Sequence, residues 1–119
     1  MISGIDLNAT IDFTLPEDKD NPTIFKLGVL PSYLLGQLSA AVAKTGDIEM
    51  AFKILQVAIK GWENFGGVEY KTIKEKWFGR ELDIVPLELL DRLPLKNITA
   101  LSARILEING LTVEERKNS

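Results

Sequence analysis

The stretch from Ile48 to Glu63 constrains the fold most, because its apolar residues recur at helical spacing and cover over half of a helix circumference. Ile48, Ala51, Phe52, Leu55, Ile59 and Trp62 form one stripe, and Met50, Ile54, Val57 and Gly61 form a second strip beside it. Glu49, Lys53, Gln56, Lys60 and Glu63 make the opposite face, with Glu49 and Lys53 spaced for an i,i+4 ion pair. So broad an apolar arc is normally covered, which predicts a helix that is central or at an interface. Two readings stay open for the second strip: core beneath neighbouring elements, or contact with a partner.

The flanking patterns supply what would cover it. Ala9 to Leu15 alternates, with Ile11, Phe13 and Leu15 on one side, and Thr23 to Val29 alternates likewise, with Phe25, Leu27 and Val29 on one side. Joined by the polar stretch Pro16 to Pro22, these runs predict a β-hairpin. An isolated hairpin is marginal in water, so its apolar side should lie on the helices that follow. Pro31 suits the first turn of a helix whose apolar positions are Leu34, Leu35, Leu38, Ala41 and Val42, ending at Thr45-Gly46, and Asp47 is placed to cap the next one. Gly66-Gly67 breaks the Ile48–Glu63 pattern. Beyond it Val68 to Tyr70 reads as a short extended piece and Thr72 to Phe78 as a helical turn or a loop. Pro86 opens a short helix that Pro94 stops. A last helix carries Ile98, Leu101, Ile105 and Ile108 and ends at Asn109-Gly110, and Thr112 to Glu115 matches a capping box for another.

The expected architecture is therefore one α+β domain over residues 1–119, mainly α: an N-terminal β-hairpin (1–30) packed on a helical body (31–110) of about four helices, then a C-terminal tail (111–119). A chain of 119 residues with 45% hydrophobic content has room for one such core.

Composition then narrows the chemistry. With no histidine and no cysteine, the chain lacks the best proton shuttle, the thiolate nucleophile and the usual zinc ligands. Ser32, Ser39 and Ser102 have no histidine to activate them, and neither Glu88 with Asp91 nor Glu114 with Glu115 has a second catalytic partner. Asp18, Asp20 and Asn21 suggest calcium, but counting from Asp18 puts Thr23 and Val29 where an EF-hand loop needs glycine and glutamate. The chain is expected to have no enzymatic activity, no cofactor and no metal.

A net charge of −3 argues against binding polyanions by phosphate neutralisation, although Tyr70, Lys71, Lys74, Lys76, Trp77, Phe78 and Arg80 interleave aromatic and basic side chains. Glu69, Glu75 and Glu81 dilute that charge, so no nucleic acid is expected. The N-terminus lacks a basic start with an apolar run, and no apolar stretch reaches the ~20 residues of a membrane span, which predicts a soluble cytoplasmic protein with no membrane partner.

Three separated pieces carry a resemblance: Glu17-Asp18-Lys19-Asp20-Asn21-Pro22-Thr23-Ile24-Phe25, then Ala58-Ile59-Lys60-Gly61-Trp62-Glu63-Asn64-Phe65 with Gly66-Gly67-Val68, and the run from Leu93 to Ser119. Together they resemble small proteins encoded in the tail-gene region of long-tailed bacteriophages, and among these the tail assembly chaperones. The resemblance implies a non-enzymatic phage or prophage protein in the cytoplasm of the bacterial host. It would bind the tape-measure protein, guide tail-tube subunits onto it, and often have a longer frameshifted form. The other role available within the same gene region is a structural head-tail connector or completion protein. On the chaperone reading, Met50, Ile54, Val57, Trp62 and Phe65 are the candidate partner-binding residues, with homo-oligomers formed through the same surfaces.

Overall fold

A computed structural model of the chain describes residues 1–45 and 47–110, without the side chains of 41–47. The tail, its capping box, Gly46 as helix stop and the capping role of the Asp47 side chain lie outside the described residues.

The first two strands pair as the alternation predicts. Strands β1 (Thr10–Phe13) and β2 (Ile24–Gly28) are antiparallel, with Ile11 opposite Leu27 and Phe13 opposite Phe25. The expected apolar side of β1 is not buried, however: Ile11 is exposed and Phe13 half-buried, so of these two strands only β2 enters the core. Phe25 and Leu27 are fully buried on the inner face, whereas the outer face carries Lys26 between Asp12 at 3.4 Å and Glu63 at 3.8 Å. Helix α1 (Ser32–Thr45) follows Pro31, and helix α2 (Asp47–Ala58) returns along it.

Here the structure corrects the reading of one helix from Ile48 to Glu63. α2 stops at Ala58, and Ile59–Glu63 forms strand β3, antiparallel to β2 along the side away from β1. β2 is thus the central strand of a three-stranded sheet, not half of a free hairpin. The cause of the misreading is a bulge at Lys60. Leu27 faces Ile59, Lys26 faces Gly61 and Phe25 faces Trp62, so one extra residue separates Ile59 from Gly61. A bulged strand puts residues i and i+3 on one face, as a helix does, and Ile59 and Trp62 satisfied both templates.

The second correction lies in the stretch after Gly66-Gly67. Strands β4 (Ile73–Trp77) and β5 (Arg80–Ile84) form a second antiparallel hairpin closed by only Phe78 and Gly79. Both turn residues have positive φ, 51° and 78°, the geometry of a tight two-residue turn. The mainly helical body expected for 31–110 therefore contains three strands. Helix α3 (Leu87–Leu90) and helix α4 (Leu95–Ile108) each begin after a proline, Pro86 and Pro94, and Gly110 takes the left-handed conformation (φ 82°) just past the end of α4.

α2 is the axis of the packing and contacts α1, α3, α4, β3 and β5. Its Met50, Ile54, Leu55, Val57 and Ala58 join Leu34 and Leu38 of α1, Phe25 and Leu27 of β2, and Ile98, Leu101 and Ile105 of α4 in one buried cluster. Gln56 and Ser102 are the buried polar side chains among the described residues, and Gln56 ties two elements together. Gln56 Nε2 donates to the Val85 carbonyl (3.0 Å), while the Val85 amide donates to the Gln56 carbonyl (2.9 Å), clamping α2 to the link between β5 and α3.

Candidate functional site

The five candidate partner-binding residues separate into two groups. Met50, Ile54 and Val57 are 2%, 2% and 3% exposed, and the helices and strands around α2 cover them. Of the two readings of that strip, the described fold takes the core. A docking face on these three residues is therefore corrected, and the apolar arc that motivated homo-oligomers is satisfied within one chain.

Trp62 and Phe65 are half-buried at the end of β3 and belong to an aromatic corner. The Trp62 ring lies edge-on to Phe25 (centres 6.4 Å apart), Phe65 (5.3 Å) and Tyr70 (5.0 Å), the geometry that sets a positive ring edge against a negative face. Hydrogen bonds fix the polar ends: the Trp62 indole donates to the Val68 carbonyl (2.9 Å) and the Tyr70 hydroxyl to the Ile59 carbonyl (2.8 Å). The loop between them starts at Asn64, whose φ of 59° turns the chain and whose side-chain amide donates to the carbonyl of Asn21. Thr23 Oγ1 donates back to the Asn64 carbonyl (2.8 Å), so the turn of the first hairpin buttresses this corner. Beside it opens a shallow cleft of about 450 Å³, lined by Trp62, Phe65, Gly66, Gly67, Glu69 and Tyr70. Such a surface offers large rigid apolar area with two glycines that leave the backbone accessible, which suits a peptide side chain.

Titration near this corner follows burial. Burial raises the Tyr70 phenol above its ordinary value, and the negative charge of Asp83 adds to the rise. Lys60 is exposed as a residue, yet its ammonium end is partly dehydrated and donates to the Val57 carbonyl (2.9 Å). That dehydration lowers its pKa, against an opposing pull from Asp83.

The aromatic and basic stretch from Tyr70 to Arg80 is dispersed by the second hairpin. Lys74 lies across from Asp83 and bonds it at 3.0 Å, with Glu81 at 3.9 Å, and these carboxylates hold its pKa up. Lys71 pairs with Glu88 at 3.5 Å. Trp77 is buried, its indole donating to Glu75 at 2.7 Å, so its ring is not a stacking platform. Lys53 sits 4.7 Å from the centre of the Trp77 ring and not against Glu49, which replaces the expected i,i+4 pair by a cation–π contact.

The remaining chemical candidates are equally placed. Asp18 Oδ2 accepts from the Thr23 amide at 2.8 Å and so serves the turn. Ser102 is buried in α4, its hydroxyl facing the Thr99 carbonyl at 3.4 Å. Asp91 lines a cavity of about 260 Å³ with Glu49, Phe52, Lys53, Gln56 and Leu87, while Glu88 points to Lys71. Among the described residues no cluster of three or more carboxylates, histidines or cysteines is placed to hold a metal ion, and no helix is long and apolar enough to cross a membrane.

Of the two aromatics expected to pin the Tyr70–Arg80 stretch to the core, Trp77 does so and Phe78 does not, and a further exposed aromatic, Tyr33, was not singled out by the sequence. Phe78 is exposed at a turn with positive φ, and Tyr33 is exposed at the start of α1. The signal for the first was a Gly at 79 between two alternating runs, a spacing that marks a two-residue hairpin. Comparison with protein-family models, with curated proteins and with solved structures gives no match for this chain.

Proposed function

We propose that the protein is a non-enzymatic assembly chaperone of a phage or prophage tail, acting in the cytoplasm of the bacterial host. It binds the tape-measure protein and tail-tube subunits while the virion is built. The observation that carries a binding role is the aromatic corner: Trp62, Phe65 and Tyr70 are held rigid by edge-on contacts and hydrogen bonds, yet they border an open cleft. Preorganised aromatics lose little side-chain freedom on binding and supply most of the area that a hot spot needs. The assignment to tail assembly is supported by the three-piece resemblance, whose central piece, Ala58 to Val68, supplies Trp62, Phe65 and much of the cleft.

On this reading the action is holding. An apolar side chain of a tape-measure helix enters the cleft and is shielded until tube subunits displace it. The test is co-expression with tape-measure fragments and tail-tube protein from the same genome, followed by affinity capture and size-exclusion chromatography with light scattering. A complex that Phe65→Ser weakens tenfold or more, with the circular dichroism spectrum unchanged, is the expected result. No complex, with the chain found in purified virions, would transfer the assignment to a head-tail connector or completion protein.

A further inference from the structure

The cavity between α2 and α3 takes no part in the aromatic corner. Glu49, Phe52, Lys53 and Gln56 recur at i, i+3, i+4 and i+7, so α2 presents them on one face. Leu87 opens α3 and Asp91 caps its end, and these two close the other side of a space of about 260 Å³.

Three side chains on that wall have oxygen acceptors to spare. Glu49 and Asp91 make no ion pair among the described residues. Gln56 is only 6% exposed, and its amide nitrogen is spent on the Val85 carbonyl at 3.0 Å, which fixes the orientation of the group and leaves Oε1 as its free end. That oxygen accepts from no donor among the described residues and is open to the cavity. A largely buried amide oxygen in that position is a cost to folding unless a donor reaches it from the cavity side.

The wall offers few donors in return. Its one cationic side chain, Lys53, lies over the Trp77 ring at 4.7 Å from the centre, so two carboxylates share the cavity with a single cation that is already engaged. Of the neighbouring charges, Glu88 and Lys71 pair with each other at 3.5 Å and Arg92 does not line the space. The rest of the wall is apolar, from the half-buried Phe52 and the exposed Leu87. Acceptors without donors call for a donor-rich cation, and an ammonium group carries three N–H donors and no acceptor. An inorganic dication wants six or more oxygens and gains nothing from Phe52 and Leu87.

We propose that the cavity between α2 and α3 binds a primary ammonium on a short apolar stem, as in a free alkylamine or a lysine side chain. Glu49, Asp91 and Gln56 Oε1 take the three N–H donors, while Phe52 and Leu87 cover the stem. This site is separate from the cleft at Trp62 and does not rest on the tail-assembly reading.

The experiment titrates the protein with n-pentylammonium chloride, with lysine blocked at both backbone ends, and with n-pentanol as the uncharged control, following backbone and Gln56 side-chain amide signals by NMR. The expected result is a saturable shift at Phe52 and Gln56 with at least one of the two ammonium probes, none with pentanol, and weakening as salt rises. Glu49→Gln and Asp91→Asn keep the side-chain shape at exposed positions, so each should melt as wild type does while its affinity for that probe falls about tenfold. Saturation by pentylammonium identifies a free amine as sufficient; saturation by the blocked lysine alone makes the source a polypeptide. No saturable shift with either ammonium probe up to about 10 mM would overturn the proposal, since even a 1 mM site would be filled there. Equal binding of pentanol, or undiminished binding in both variants, would overturn it as well.

Discussion

At the scale of single residues, the most constrained neighbourhood is Gly28, Lys60 and Tyr70. A Cβ on Gly28 would come within 2.7 Å and 2.8 Å of Lys60 side-chain carbons and 3.3 Å of the Ala58 carbonyl. Gly28 therefore makes room for the bulged lysine, whose ammonium is tied to Val57. Gly28→Ala should cost about 1 to 3 kcal/mol, and Lys60→Ala in the same chain should return part of it, a coupling measurable as a double-mutant cycle in urea melts. Tyr70→Phe removes the hydrogen bond to the Ile59 carbonyl and should cost about 0.5 to 1.5 kcal/mol at neutral pH. The pH dependence has a definite sign. Since the folded protein raises the Tyr70 pKa above 10.0, Tyr70 contributes stability below that value and loses it as pH rises through the raised one. Lys60 acts oppositely, because its lowered pKa makes the ammonium a cost that disappears as pH approaches 10.5. Alkaline denaturation of wild type should thus steepen above pH 10, and Tyr70→Phe should flatten that limb.

At the scale of elements, α2 and β3 show how much a period can and cannot say. Met50, Ala51, Ile54, Leu55, Val57 and Ala58 of α2 are buried where helical spacing puts them, whereas Ile48 at the start of the stripe is exposed and Phe52 is half-buried, and five elements surround the helix. Met50→Asp or Val57→Asp should consequently unfold the protein, since an unpaired buried charge costs several kcal/mol. Thermal melts that leave either variant cooperative near the wild-type midpoint would contradict the burial described here. The boundary at Ala58 was hidden because the bulge at Lys60 mimics helical spacing. Gly61 and the β-branched Ile59 disfavoured a helix locally, but the decisive factor is distant: the open side of β2 needed hydrogen-bond partners. In β4 and β5 the alternation Ile73, Glu75, Trp77 against Lys74 and Lys76 is only partly apolar, and a Phe in the turn disguises the hairpin.

At the scale of the whole molecule, Asn109 joins elements far apart in sequence. It ends α4, accepts from the Leu30 amide at 2.7 Å and donates to the Ile105 carbonyl at 2.8 Å, fastening the last described helix to the junction of β2 and α1. Asn109→Ala should cost about 1 to 3 kcal/mol, because the Leu30 amide is left without its acceptor, and hydrogen exchange at Leu30 should accelerate in step. Legible in the chain alone were an α+β class, the pairing of the first two strands, the helices α1, α3 and α4, and the presence of α2 but neither its end nor its central place, since local period, prolines and the glycine after α4 act within a few residues of where they stand. Tertiary structure alone decided that Ile59–Glu63 completes a sheet and that Met50, Ile54 and Val57 are core. It also decided that Trp62 and Phe65 meet Tyr70 at a cleft, and that Tyr33 and Arg80 stack beside the turn at Phe78. Each of those outcomes depends on which surfaces the rest of the chain had already covered, and covering is a property of segments distant in sequence.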